Sequence, residues 1–395
     1  MSRTFAVIVE LDDDLRTDAP ASAIVRVARA SERAGVTAVS FEDHPTAPGA
    51  GAGAASRSGA RFGRLDATLR AASVAPITSS IGLIPVVHAL YNEPFHLATQ
   101  LATLDTASLG RAGWIARADP DPSIAARHGR GPLPASAADA ELADVVEAIR
   151  GVWDTWEDDA VIRDVATGRY LDRTKVHYAD FVGDRFSVKG PSIIPRPPQG
   201  QPVVFGEPGS AAELDAVLLD LTLPGRDRPA AHLNASTDST IAGAADLPEL
   251  LGRATEAVDA ARTRLAPGTL IVVQLGFALD SAGLSALDRL ADERHHTRAD
   301  ARAIVTGDPS VLVDLLTALA RVADGVRLFP ASLEPDLDEL GRAVLPGLRA
   351  RGVFHSPLAG DSLRTSLGLE RPTNRFESVA PDPLASNAQT LEAAR

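Results

Sequence analysis

Short apolar runs alternate with amphipathic segments along this chain, a pattern that predicts βαβ units and a parallel sheet. Phe5 to Glu10 reads as a first strand, and Ala21 to Ala34 as a helix closed by Gly35. Ala38 to Phe41 reads as a second strand that ends in Glu42-Asp43-His44. Further strands are expected at Ile81 to Val87, Arg111 to Ala116, Val203 to Phe205, Ala216 to Leu221, Leu270 to Leu275 and Val326 to Phe329. Helices are expected at Leu65 to Ala75, Pro94 to Ser108, Glu141 to Trp153, Leu247 to Arg264 and Val311 to Val322. Pro45 to Gly63, dominated by Gly, Ala and Ser, reads as a loop, and so does Asp119 to Ala138. The turn-rich, hairpin-like stretch Asp154 to Pro198 reads as an insertion.

Such alternation fits a closed α/β barrel, a (β/α)8 TIM barrel with insertions, better than an open doubly wound sheet. An open sheet would want a Gly-rich phosphate turn after its first strand; here that turn reads Glu10-Leu11-Asp12-Asp13-Asp14. One barrel domain is expected over residues 1–376, with the insertion around 154–198 and a disordered tail over 377–395.

Composition narrows the function. The 395 residues carry a net charge of −13, which argues against nucleic acid or an anionic membrane as partner. There is no cysteine, so disulfides, thiolate metal sites and a Cys nucleophile are excluded. No apolar stretch approaches the roughly 20 residues that span a bilayer, and the N-terminus turns acidic too early for a secretory signal. A cytoplasmic protein is expected. His295-His296 sits in a charged segment without further ligands at fitting spacing, so no metal site is assigned.

A parallel barrel carries its active site at the C-terminal ends of its strands. That rule selects Glu10, Glu42, Asp43, His44, His88, Tyr91, Arg117, Asp119, Glu207, Gly209, Ser210 and Ser332. His44 is the candidate catalytic acid or base, because an imidazole exchanges protons near neutral pH; a loop-bonding histidine is the equal alternative. Gly209-Ser210 could cradle a phosphate at a following helix start, or simply cap that helix. Trp114, Trp153 and Trp156 either line an apolar substrate slot or pack the core.

Several blocks resemble the luciferase-like flavin monooxygenases, in the branch with nitrilotriacetate, sulfur-compound and long-chain-alkane monooxygenases. They are Phe41 to Pro45, Ile81-Gly82-Leu83, Tyr91 to Ala98, Leu104-Asp105, Gly110 to Trp114, Val152 to Ala160, Lys175-Val176-His177, Phe186 to Pro191 and Pro195 to Gly200. Ala323-Asp324-Gly325, Arg351 to Phe354, Ser362-Leu363-Arg364, Leu367-Gly368-Leu369 and Arg371 to Phe376 complete the set.

The resemblance implies a homodimeric or homotetrameric enzyme that takes reduced FMN from a separate reductase and oxidises a small organic substrate with O2 through a peroxyflavin. It places His44, Glu42, Val86, His88, Ile115 and Arg117 around the flavin, and Gly209 and Ser210 at its phosphate. The chain departs from the family pattern there. Val86 and His88 replace small hydroxyl residues, and Ile115-Ala116-Arg117-Ala118-Asp119 replaces an amide-and-hydroxyl run. Glu207, Pro208 and Glu213 surround the phosphate position, although Arg117 could supply charge there. Three readings follow: an FMN monooxygenase with a rebuilt phosphate site, a flavin-poor barrel acting as a binding or partner subunit, and an oxidoreductase using another flavin such as a deazaflavin. The substrate is not legible.

Overall fold

A computed structural model describes residues 5–11, 21–43, 65–222, 241–292 and 302–377. Its strands are β1 (Ala6–Glu10), β2 (Ala38–Phe41), β3 (Gly82–His88), β4 (Gly113–Arg117), β5 (Val161–Asp164), β6 (Arg169–Leu171), β7 (Phe181–Val182), β8 (Ser187–Val188), β9 (Val203–Gly206), β10 (Ala216–Asp220), β11 (Ile241–Ala242), β12 (Leu270–Leu279), β13 (Ile304–Gly307) and β14 (Gly325–Pro330). β1, β2, β3, β4, β9, β10, β12 and β14 pair in that order, all parallel, and β14 returns to β1. The expected (β/α)8 barrel is therefore closed. β5–β6 and β7–β8 form two small antiparallel hairpins outside it. The loops Pro45 to Gly63 and the tail from 378 onward lie outside the described residues.

Every barrel strand is buried, so the strands read as apolar runs and the alternation between faces shows only in partners. On β1, Val7 and Val9 pack outward against the helices Ala21–Ala34 and Pro309–Leu319, while Ala6 and Ile8 face the axis with Ala38, Ile84, Val86, Ile115, Phe205 and Val272. From below, Leu363 of the short helix Leu363–Ser366 fills the barrel. A β-carbon added at Gly82 or Gly113 would meet its methyls at 2.6 and 2.8 Å.

The structure differs from the sequence reading in three places. Asp119 to Ala138 is not all loop: Pro122–Arg127 is helical, and the next helix runs from Ala135 to Asp154. Its Ala-rich start has strong helix propensity without any apolar period, which hid it. β12 runs on past Leu275 to Leu279, because its upper half gains a second neighbour, β13, which pairs in turn with the two-residue β11. The three tryptophans are buried, in keeping with the packing alternative; Trp153 and Trp156 donate their indole N–H to Ala98 and Ser192 carbonyls. Finally, no helix separates β9 from β10. Residues 207–215 form a turn that runs straight into β10.

Several family-matching blocks meet at the bottom of the barrel. Asp105 accepts N–H bonds from Ala112 (3.1 Å) and from the Gln199 side chain (2.6 Å), and Gln199 in turn accepts the Arg364 amide (3.2 Å). Arg111 donates to the Ala75, Thr78 and Ile81 carbonyls. Burial pushes the Asp105 carboxyl up to about 6, although hydrogen bonds from Gln199 and Ala112 and the charge of Arg364 oppose the rise. A carboxyl raised in the folded state stabilises most while protonated, below its ordinary value of 3.8, and that contribution is lost as pH climbs through about 6. Urea unfolding at each end of this window should therefore show the stability of wild type relative to Asp105→Asn falling with rising pH, by about 3 kcal/mol at most. A difference that does not change with pH would mean that Asp105 stays ionised.

Candidate active site at the barrel mouth

The inward-facing positions change from apolar to charged as the strands climb. Val86 pairs in register with Ile115, and one rung higher His88 pairs with Arg117. Val86 and Ile115 are buried and form an apolar floor. Above it, Glu10 closes β1, Glu42 follows β2, and Gln274 and Arg327 lie in register on β12 and β14.

These groups pair with one another across the mouth. Arg327 donates to Glu10 Oε2 (2.5 Å), Glu42 Oε1 (2.9 Å), Ser40 Oγ (2.9 Å) and Gln274 Oε1 (2.9 Å). Gln274 passes the chain on to Asp220 at 2.9 Å. Arg117 grips both oxygens of Glu42, at 2.8 and 3.1 Å. Arg70, on the helix Ala67–Val74, holds the Glu42 carbonyl. Arg327, Glu10 and Glu42 are 1%, 0% and 3% exposed. Burial alone would lower the Arg117 pKa, but the Glu42 charge and hydrogen bonds, with Glu207 and Glu10, hold it above the usual arginine value.

His88 stands beside this network. Its Nε2 lies 2.9 Å from the Asp43 carbonyl, which can only accept, so Nε2 carries the hydrogen. In the neutral ring Nδ1 then keeps its lone pair. That nitrogen is buried and has no hydrogen-bond partner among the described residues. The arrangement suits a proton acceptor for a bound molecule. His44, the expected catalytic residue, lies outside the described residues.

Gly209 and Ser210 lie apart from the network, in the turn after β9. Gly209 takes a positive φ of +88°. The expected helix start after β9 is absent. Its donors are already taken: Ser210 Oγ donates to Asp139 Oδ1 at 2.9 Å, and the Ala211 N–H lies 3.1 and 3.0 Å from the two Asp139 oxygens. Asp139 comes from the first turns of the helix Ala135–Asp154.

Glu42, Val86, His88, Ile115 and Arg117 thus come together, while Gly209 and Ser210 form a separate turn. Sequence reasoning missed Gln274, Arg327 and Asp139 as participants. An Arg at an inward position of an apolar strand was the available signal, since a buried charge demands a partner. Among the described residues no group of three or more His, Asp or Glu could hold a metal ion, and no helix is long and apolar enough to cross a membrane.

The closed parallel barrel agrees with what known proteins show. The profile of the luciferase-like monooxygenases matches residues 1–271, and the chain belongs to that family of flavin-dependent oxidoreductases. It is 28% identical over 361 residues to N-acetyl-S-(2-succino)cysteine monooxygenase of Bacillus subtilis (strain 168), covering 77% of this chain and 81% of the relative. It is 26% identical over 355 residues to nitrilotriacetate monooxygenase component A of Aminobacter aminovorans, covering 77% and 78%. In fold it is similar to a riboflavin lyase solved with modified FMN and the substrate riboflavin (TM-score 0.71, 22% identity, 95% of this chain and 98% of the other).

FMN, which the family implies, does not fit the donor set of this chain. A phosphate needs free N–H groups and positive charge. Here Pro208 has no N–H, Asp139 takes the Ser210 and Ala211 donors, and Arg117 is held by Glu42. Removing one partner of a buried ion pair costs about 3–5 kcal/mol, because the other charge stays buried. Arg327→Met should lower unfolding stability by about that much, and adding Glu42→Gln should recover part of it; an Arg327→Met protein as stable as wild type would show that the network bears no load.

Proposed function

We propose that this chain is a flavin-dependent monooxygenase that oxidises a small organic molecule with O2 at the barrel mouth, using reduced flavin supplied by a separate reductase. One observation carries the reading: a half-buried imidazole, His88, held through Nε2 by the Asp43 carbonyl, keeps an Nδ1 without a hydrogen-bond partner among the described residues, one rung above the Val86–Ile115 pair. Family membership supports it, as does the name of the nitrilotriacetate relative, a component A, which speaks for a partner component. In this reading the flat Arg117–Glu42 pair offers a face on which an aromatic ring can stack. The family's phosphate anchor is missing, so ring contacts rather than a charged tail supply the binding. His88 accepts a proton from the bound molecule through Nδ1, and Asp43 fixes its orientation.

The completeness of the ion-pair network favours a second reading. Two carboxylates and two guanidiniums satisfy each other with no ligand, as in a barrel that binds no flavin and serves as a binding or partner subunit. Anaerobic titration with reduced flavin separates the two. Saturable binding is expected under the first. No binding up to about 1 mM, where a site worth only about 4 kcal/mol would half fill, selects the second. General acid–base groups contribute about 10²–10⁴ in rate. His88→Ala should therefore cut product formation at least about tenfold while leaving flavin affinity within a few-fold; an unchanged yield would remove the imidazole from the chemistry.

A further inference from the structure

Asp139 places a carboxylate at the turn Gly209-Ser210, the position that the resemblance gives to the flavin phosphate. It accepts from the Ser210 hydroxyl and the Ala211 amide, and among the described ion pairs no cation is matched to it. Glu207 and Glu213 add two more carboxylates to the same turn, both exposed. Arg117 at the mouth is committed to Glu42 through both terminal nitrogens. With the helix after β9 absent, the turn has no helix start of its own to offer N–H groups to a ligand. An incoming dianion at this turn would lose hydrogen bonds and meet repulsion at once.

We propose that Asp139 acts as a built-in anion that makes this barrel discriminate against a phosphate on its flavin, so that riboflavin binds at least as tightly as FMN. The inference rests on the flavin reading above and adds the specificity of that site. The selecting group is a positioned charge, so its effect is electrostatic and is screened by salt.

The experiment measures anaerobic dissociation constants of photoreduced riboflavin and photoreduced FMN by fluorescence, on the full chain and on Asp139→Asn and Asp139→Ala. Circular dichroism and thermal midpoints check that the variants fold. Wild type is expected to bind riboflavin as tightly as FMN or more so. Both variants should tighten FMN by about three- to tenfold, the size expected for one charge removed beside a partly solvated dianion, with riboflavin nearly unchanged. Added salt at about 0.5 M should narrow the wild-type difference. A wild type that binds FMN ten times more tightly than riboflavin would overturn the proposal while leaving the flavin reading intact, and so would variants that shift both flavins alike. If neither flavin binds the wild type, the flavin reading itself fails and this selectivity goes with it.

Discussion

The mouth of this barrel is organised by one buried guanidinium. Arg327 sits on the inner face of β14, is 1% exposed, and reaches Glu10, Glu42, Ser40 and Gln274 from a single position. A charge this deep is tolerable only when its hydrogen bonds are all made and its sign is balanced. Glu10 and Glu42 do both. Glu42 then needs a second donor, and Arg117 supplies it from β4. The ends of six strands, β10, β12, β14, β1, β2 and β4, are tied into one chain of polar contacts running from Asp220 to Arg117. Its pairing is what any ligand entering the barrel has to accept or break.

Most of the architecture was legible in the sequence because buried parallel strands are short apolar runs between helices, and such runs stand out. What was hidden has physical causes. β11 and β13 are too short to show a period, and the helix at Ala135 begins with residues that favour helix without marking a face. Most of the blocks that carry the family resemblance proved to be scaffold, Phe41 to Pro45 with Glu42 and Asp43 excepted. Asp105, Arg111, Gln199 and Arg364 lock the bottom of the barrel. Arg196 pairs with Asp154 and Asp158, and Asn374 closes on the Asp154 and Trp156 carbonyls. Polar groups with many simultaneous partners can change only together, so they make a recognisable pattern. The same pattern says little about chemistry at the opposite end.

The candidate site was half legible. The strand-end rule found Glu42, His88 and Arg117, because position along a strand is readable from the sequence. It could not say that Arg117 and Glu42 face each other, since they lie 75 positions apart and meet only after the barrel closes. It read Arg117 as a free cation that could take a phosphate; its geometry commits it to a carboxylate. Gly209-Ser210 looked like an anion cradle because the residue types were right. The missing helix was not apparent from a turn of Gly, Ser, Ala and Glu, all of which occur at helix starts. Asp139 lies within a helix, far from any strand end, and no motif pointed to it.

The short turn after β9 links these two departures. Parallel neighbours are normally joined by a crossover helix that carries the chain back to the bottom of the sheet. Residues 207–215 have no such helix, and β10 meets β9 over only Ala216↔Phe205 and Val217↔Gly206, whereas its pairing with β12 runs from Ala216 to Asp220. The exposed edge this leaves is sealed by Asp215, whose carboxylate accepts the Val204 amide and pairs with Arg150 and Arg364. β10 starts level with the first residue of β12, Ala216 against Leu270, and ends with Asp220 in register with Gln274. That placement brings Asp220 within reach of Gln274, and through it of Arg327. The same shortening that removes helix donors from one side of the site thus delivers a further acceptor to the other. Both changes follow from where the chain turns after Gly206.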